Sequence, residues 1–296
     1  MTNEEMLQKM EGDMKLRNFS HYSYDTYLSK AKEMVRYFNK PMEEVTTEEM
    51  RKFLMMLKEE RHLANKTVNY YNSILRFMYE VTLDIVLNKK QIPMLKHTRE
   101  ICKVLTKEEL SAFFYACDDI KYRTIFMLIY GSGLRIGETA NLRVEDIDSK
   151  RMRIFVRNGK GNKQRYTILP KASLEMLREY YKKERPKHPE GYLFLNREGN
   201  PIKVERMRVY FRKYRREAKL NEKFVVHSLR HSFATNLIEN GATLLQVKEL
   251  LGHRNIRSTM EYVHVANIDL GLDSPLDVFL KEEKGGKKYD KDARNI

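Results

Sequence analysis

Between Val226 and Val265 the sequence reads VHSLRHSFATNLIENGATLLQVKELLGHRNIRSTMEYVHV, a concentration of side chains that can do chemistry. His227 and Arg230 form a His-x-x-Arg pair, His253 follows Gly252 after an apolar run, and Tyr262 stands nine residues beyond His253. Two imidazoles, a guanidinium and a phenol suit chemistry on a phosphodiester. The guanidinium takes phosphate oxygens through paired, charge-assisted N–H bonds. The imidazoles donate to another oxygen or move protons near neutral pH. The phenol can act as a nucleophile when its surroundings activate it. His227 and Arg230, three apart at a helix start, share one face near the positive end of the helix dipole. His231 and His264 fall outside this pattern and read as structural.

Composition points the same way. Lys+Arg 56 against Asp+Glu 41 gives a net charge of +15, which favours a polyanionic partner. The 296 residues suffice for two compact domains. No apolar run approaches a membrane span, and the acidic start MTNEEMLQKMEGD does not read as a signal peptide. Cys102 and Cys117 sit in no metal-ligand or thiol motif and read as small buried groups, which fits a reducing cytoplasm.

The elements that must position these residues follow from pattern. Apolar residues from Tyr24 to Phe38 recur at helical spacing, and Pro41 stops them. Thr46 with Glu49 forms a capping box for a second helix, and Asn65 is expected to cap a third carrying Val68, Tyr71, Leu75 and Met78. NKKQIPMLKHTRE, 88–100, is basic and aperiodic, and reads as a linker. A capping box at Thr106 and Glu109 opens the next helix, and a strongly apolar one around Ile125–Ile129 follows. Gly131-Ser132-Gly133 should break that helix and bring backbone close to a ligand, with Arg135 directly after. Glu138, one turn on, is placed to pair with Arg135 and fix its rotamer.

Met152, Ile154 and Val156 alternate with arginines as a half-buried strand, and Asn158-Gly159 signals a hairpin to a second strand at about 164–169. Lys160 and Lys163 belong to that turn. A helix near 174–183, a short strand at 192–195 and a turn at Gly199-Asn200 lead to a basic helix, 204–219. Its Met207, Phe211 and Tyr214 make an apolar stripe opposite a basic face that could lie along a DNA groove.

GSGLRIGETANLRVEDID, GKGNKQR, HSLRHSFATNL and ELLGHRNIRSTMEYVHV, in this order and spacing, resemble the tyrosine recombinase (phage integrase) family of the two-domain, Xer-like kind. The resemblance covers roughly the C-terminal two-thirds of the chain. It implies a mainly α fold with a small antiparallel β-sheet. An N-terminal helical core-binding (SAM-like) domain, 1–87, is expected to close over one side of a DNA duplex. A basic linker, 88–102, leads to an α/β catalytic domain, 103–266. The tail, 267–296, would carry a protomer-exchanging helix and a disordered end. The resemblance also implies the catalytic set Arg135, Lys160, His227, Arg230, His253 and Tyr262, with Glu138 in support.

By that resemblance Tyr262 attacks the scissile phosphate to form a 3′-phosphotyrosyl link, and Arg135 and Arg230 hold the non-bridging oxygens. Lys160 protonates the leaving 5′-oxygen, His227 accepts the phenol's proton, and His253 donates to the phosphate. A partner strand's 5′-hydroxyl then reseals the bond, so neither metal nor other cofactor is implied. Lys89, Lys90, Lys163, Arg165, Arg206, Arg212 and Arg216 are the expected DNA contacts. Partners would be double-stranded DNA and other protomers, four on a synapse, in the cytoplasm of a prokaryote or for a mobile element. A type IB topoisomerase, using much the same chemistry, and a non-catalytic DNA-binding protein are the rival classes. GLRIGE, LGH and the two-domain layout favour recombination over the first, and the intact catalytic set speaks against the second.

Overall fold

The computed structural model describes residues 1–96, 103–157, 164–184, 187–263 and 266. Lys160, Lys163, His264, Cys102, the end of the expected linker and the tail from 267 lie outside the described residues. The chain divides into two compact units, Met1–Glu100 and Ile101–Ile296. It is mainly helical with a small antiparallel sheet.

The first unit opens with a helix that pattern reading had not singled out, α1 (Asn3–Leu16). Thr2 and Glu5 close a capping box around its start, and Met6, Met10 and Met14, one turn apart, are its buried face. Helices α2 (His21–Phe38), α3 (Thr47–Glu59) and α4 (Asn65–Arg76) follow. The Thr46–Glu49 capping box forms as expected. Asn65 does not cap α4: Ala64 is the cap residue, and Asn65 lies inside the first turn. Its amide donates instead to the Lys96 carbonyl, Asn69 exchanges two bonds with Leu95, and Asn72 donates to the Pro93 carbonyl. These three asparagines lie on one face of α4, so they hold 93–96 along the helix. Ile92 is buried in the same core. Residues 92–96, in the stretch expected as linker, thus lie against the first unit's helices.

In the second unit, α5 (Lys107–Ala116) carries the expected Thr106–Glu109 box, and Cys117, just past it, is buried. The apolar helix is α6 (Ile120–Ser132), which buries Ile125, Phe126, Leu128 and Ile129 and packs against later helices. Gly131 and Ser132 continue this helix, and only Gly133 breaks it, at φ 63°. A β-carbon there would stand 2.4 Å from the Phe233 ring, so both the backbone and the packing require glycine. Arg135 then opens the short α7 (Ile136–Ala140).

Among the described residues the sheet is a three-stranded meander, β1 (Ile147–Asp148), β2 (Arg153–Val156) and β3 (Arg165–Ile168), paired in that order. Val156 pairs with Arg165 at the end nearest the hairpin tip. Thr167 donates to the Ser132 carbonyl at 2.7 Å, which fixes β3 to the end of α6. Helix α8 (Lys171–Glu184) covers α6. The strand expected at 192–195 is absent: Tyr192 and Leu195 make isolated bridges to Arg143 and Pro201. Helix α9 (Val204–Glu217) buries Met207, Phe211 and Tyr214 as its spacing requires. The chain then folds into α10 (Val226–Glu239), α11 (Leu244–Leu251) and α12 (Arg257–Val263). Among the described residues no helix is long and apolar enough to cross a membrane.

Candidate active site

Three helix ends meet where the candidate residues gather. Arg230 leaves the first turns of α10 and is almost fully buried, 1% exposed. Its Nη1 donates to the Gly133 carbonyl, past the end of α6, and its Nη2 donates at 2.7 Å to the Leu251 carbonyl, the last residue of α11. Helix C-termini leave carbonyls unpaired and carry partial negative charge, so a guanidinium there satisfies both needs. Arg230 Nε has no protein hydrogen-bond partner among the described residues, which leaves it a donor.

Glu138 ties the arginines together. Its carboxylate accepts the backbone N–H of Arg135 at 2.8 Å and the Arg135 Nη1 at 2.6 Å, as its position one turn on suggested. It also receives both end nitrogens of Arg165, at 2.9 and 2.7 Å, and stands 3.8 Å from Arg230 Nη1. Burial alone would raise its pKa, but the hydrogen bonds and charge of Arg165, with those of Arg135, outweigh it and hold the carboxyl at about 2.

Arg165 was expected on DNA; its side chain is 8% exposed and each of its three nitrogens has a partner within the fold. Two go to Glu138, and Nε donates to the Leu250 carbonyl. The sequence could not separate it from its exposed neighbours, because a strand arginine carries no mark of the helix end it will meet. The same side chain explains Gly252: at φ 62° it caps α11, and a β-carbon there would stand 2.7 Å from Arg165 Cδ.

His253 follows that glycine. Its Nε2 lies 3.3 Å from Arg230 Nη2 and its Nδ1 lies 2.9 Å from the hydroxyl of buried Thr259. An imidazole nitrogen facing a guanidinium N–H must accept, so Nδ1 carries the proton and donates to Thr259. A hydroxyl both donates and accepts, so Thr259 can serve either tautomer. Thr259, which sequence reading did not place in the site, sits one turn before Tyr262 on α12.

Tyr262 is 3% exposed, set among Phe233, Val247 and Leu251. Its hydroxyl lies 3.2 Å from Nδ1 of His231, the histidine read as merely structural. His227 was expected to meet the phenol. It stands with its ring edge-on to His231 at 4.4 Å between centroids, among the charges of Arg230 and Arg135. Thus Arg135, His227, Arg230, His253 and Tyr262 are brought together, with Glu138, Arg165, Thr259 and His231 between them.

Burial, then the neighbouring positive charge, lowers His231 to about 4 and His253 to about 3. The same causes act on His227, but it is exposed and solvent screens them. Unfolding returns this half-buried pair toward ~6.5, where the unfolded chain binds more protons than the folded one. Stability should therefore fall as pH drops from about 6.5 through 4, and Glu138 adds a further loss from about 4.5 toward 2. Melting of the DNA-free protein between pH 7 and 4 tests this, with His253→Gln expected to flatten the upper part of the decline. A Tm unchanged across that range contradicts it.

The remaining expected DNA contacts differ in setting. Lys89 and Lys90 are exposed on the first unit. On α9, Arg206, Arg212 and Arg216 are exposed, with Arg206 leaning over the Tyr210 ring. Arg215 is used internally, on the carbonyls of Glu222 and Phe224, and Lys213 pairs with Asp118 at 3.2 Å.

Comparison with known proteins matches residues 103–268 to the phage integrase family and residues 6–89 to the phage integrase N-terminal SAM-like domain. Tyrosine recombinase XerC of Natranaerobius thermophilus is 31% identical over 287 residues, spanning 90% of this chain and 95% of its own. In fold, the chain is similar to XerH site-specific recombinase bound to palindromic difH substrate, with a TM-score of 0.71 at 22% identity over 92% of this chain and 82% of that one. It is similar also to a lambda integrase dimer bound to a COC′ core site, with a TM-score of 0.72 at 19% identity over 88% and 95%.

Proposed function

The chain belongs to the phage integrase family of tyrosine recombinases and is of the Xer type, and from that premise we propose how its own residues act. It is a site-specific recombinase that breaks and rejoins DNA strands, working on DNA with other protomers. Relaxation alone and non-catalytic binding are not favoured.

In the proposed reaction the Tyr262 hydroxyl attacks the scissile phosphorus, forming a 3′-phosphotyrosyl bond and freeing a 5′-oxygen. Arg135 and Arg230 take the non-bridging oxygens. Their guanidiniums are held in advance by Glu138 and by helix-end carbonyls, so little reorganisation accompanies the growth of charge. His227 donates to the same phosphate, His253 accepts from Arg230 and helps to orient it, and Lys160 protonates the 5′-oxygen. Lys89, Lys90, Lys163, Arg206, Arg212 and Arg216 contact the DNA backbone. A 5′-hydroxyl of the partner strand then reverses the attack and keeps the bond energy.

The observation that supports this most is the gathering of Arg135 and Arg230, tied to one carboxylate, with His227, His231 and His253 and the buried phenol of Tyr262. A nicked duplex tests it: the broken strand end diffuses away and the covalent intermediate accumulates. The adduct should carry DNA on its 3′ end. Non-covalent affinity should fall with log salt by about 0.9 per phosphate contacted. Absence of any adduct on DNA that the protein binds specifically would sink the mechanism.

The finer assembly is also proposed: four protomers on two synapsed sites, in the cytoplasm on the nucleoid, linked by a tail helix docked on the neighbour. Leu276, Phe279 and Leu280 would be that helix's apolar face, on a segment too short to be stable alone. Truncation after Ala266 should leave a protein that fills one half-site and loses cooperative filling of the second. If cooperativity and synaptic tetramers persist, the tail is not the link.

A further inference from the structure

The nucleophile needs somewhere to put its proton. A tyrosine hydroxyl has a reference pKa near ~10, so at neutral pH it reaches the phosphate as a phenol and must lose the proton as it attacks. The imidazoles nearest Tyr262 differ in what they have free. His253 lies flat beside the phenol ring, with 6.1 Å between centroids, but its two nitrogens are engaged by Thr259 and Arg230. His231 aims Nδ1 at the phenol oxygen from 3.2 Å. With the ring proton on Nε2, Nδ1 accepts from the phenol; with it on Nδ1, the phenol oxygen would accept instead, and only the first arrangement is ready for proton transfer.

We propose that His231 Nδ1 is the proton acceptor for Tyr262 during cleavage and returns that proton on resealing. The proposal rests on the reading of Tyr262 as the nucleophile. In the forward step the bond between Tyr262 Oη and phosphorus forms and the bond to the 5′-oxygen breaks. The phenol proton moves to His231, and the 5′-oxygen takes a proton to leave as a hydroxyl. Resealing runs these transfers backwards, with imidazolium giving its proton to the departing phenolate. No electrons change hands beyond the two bonds exchanged.

Position in the fold explains how one helix supplies both functions. Arg230 and His231 are consecutive on α10, with His227 one turn earlier. Arg230 turns to the carbonyls at the ends of α6 and α11, and His231 turns to α12, which packs on α10. Among the described residues, the titratable and charged groups around His231 are Tyr262 on α12, and His227 and Arg230 on its own helix. Burial and those two neighbours keep its imidazole unprotonated at neutral pH, as an acceptor must be. A phosphodiester entering beside Arg230 brings negative charge that favours the imidazolium once attack begins.

The test is single-turnover cleavage of a nicked duplex by full-length His231→Ala and His231→Gln. Glutamine can accept the same hydrogen bond but cannot hold the proton. Both variants should bind the duplex normally and cleave about 10²–10³-fold more slowly at pH 7. Their rates should climb with pH up to 9, as hydroxide makes the phenolate directly, while the wild-type rate changes little. Substituting 3-fluorotyrosine at 262, whose phenol is more acidic, should shrink the His231→Gln defect. Should His231→Ala fail to fold, the glutamine and fluorotyrosine arms decide. A His231→Gln rate within threefold of wild type overturns the proposal, since holding the phenol is then enough. It is overturned equally if the steep pH climb belongs to His227→Ala alone. An adduct formed by Tyr262→Phe overturns the nucleophile underneath, a result distinct from either.

Discussion

Tyr262→Phe should bind its site with unchanged affinity and form no covalent adduct at all on a nicked duplex. The substitution removes one oxygen. Its packing among Phe233, Val247 and Leu251 is kept while the bond to His231 is lost, and a lost hydrogen bond costs stability about 1 kcal/mol. Lys160→Ala should look different. It should cleave more slowly by about 10²–10⁴-fold, and a 5′-bridging phosphorothiolate, whose sulfur leaves without a proton, should restore much of that rate. The same substrate should rescue neither Tyr262→Phe nor Arg135→Ala. An adduct from Tyr262→Phe would move the nucleophile elsewhere, with half-exposed Tyr166 on β3 and Tyr210 on α9 the first to map. Equal rescue of Arg135→Ala and Lys160→Ala would undo the division of roles between charge stabilisation and proton donation.

Glu138→Ala should be the most damaging change that never touches DNA. The carboxylate is 4% exposed and faces Arg165 at 8% and Arg230 at 1%, so its loss leaves buried guanidiniums repelling one another. Removing one partner of a buried ion pair costs about 3–5 kcal/mol. In a unit of this size that lowers Tm on the order of 10 °C. Cleavage should fall as well, because Arg135 loses the anchor at its backbone N–H and at its side chain together. Adding Arg165→Ala should cost less than its own single effect predicts, because it removes one of the charges left unpaired. A Glu138→Ala protein with unchanged melting and unchanged cleavage would remove the carboxylate from both accounts.

Much of this protein is written in its local sequence. The capping boxes at Thr46–Glu49 and Thr106–Glu109 form because their partners are three residues apart, and the same geometry at Thr2–Glu5 opens α1. Helical spacing selects Met207, Phe211 and Tyr214 as the buried face of α9. The pairing of Arg135 with Glu138 is likewise a contact one turn long. The strand misread at 192–195 and the cap misassigned to Asn65 mark the limit of such reading. In both, a partner distant in sequence took the hydrogen bonds: Leu142 accepts from Leu193, and Lys96 accepts from Asn65.

Tertiary structure decided which of several similar side chains does what. Nothing local separates Arg165 from Arg212, or His231 from His227, since each pair differs only in what the fold brings opposite. Arg165 meets a carbonyl 85 residues away, and Arg230 meets one 97 residues away. Helix ends attract guanidiniums through unpaired carbonyls, but which ends meet which arginine is fixed only when α6, α10 and α11 have packed. The sequence by itself determined the helices, the reacting residue types and their family. The packing of those helices determined which histidine reaches the phenol and which arginine meets the buried carboxylate from a distant strand, because both depend on distances that no residue spacing contains.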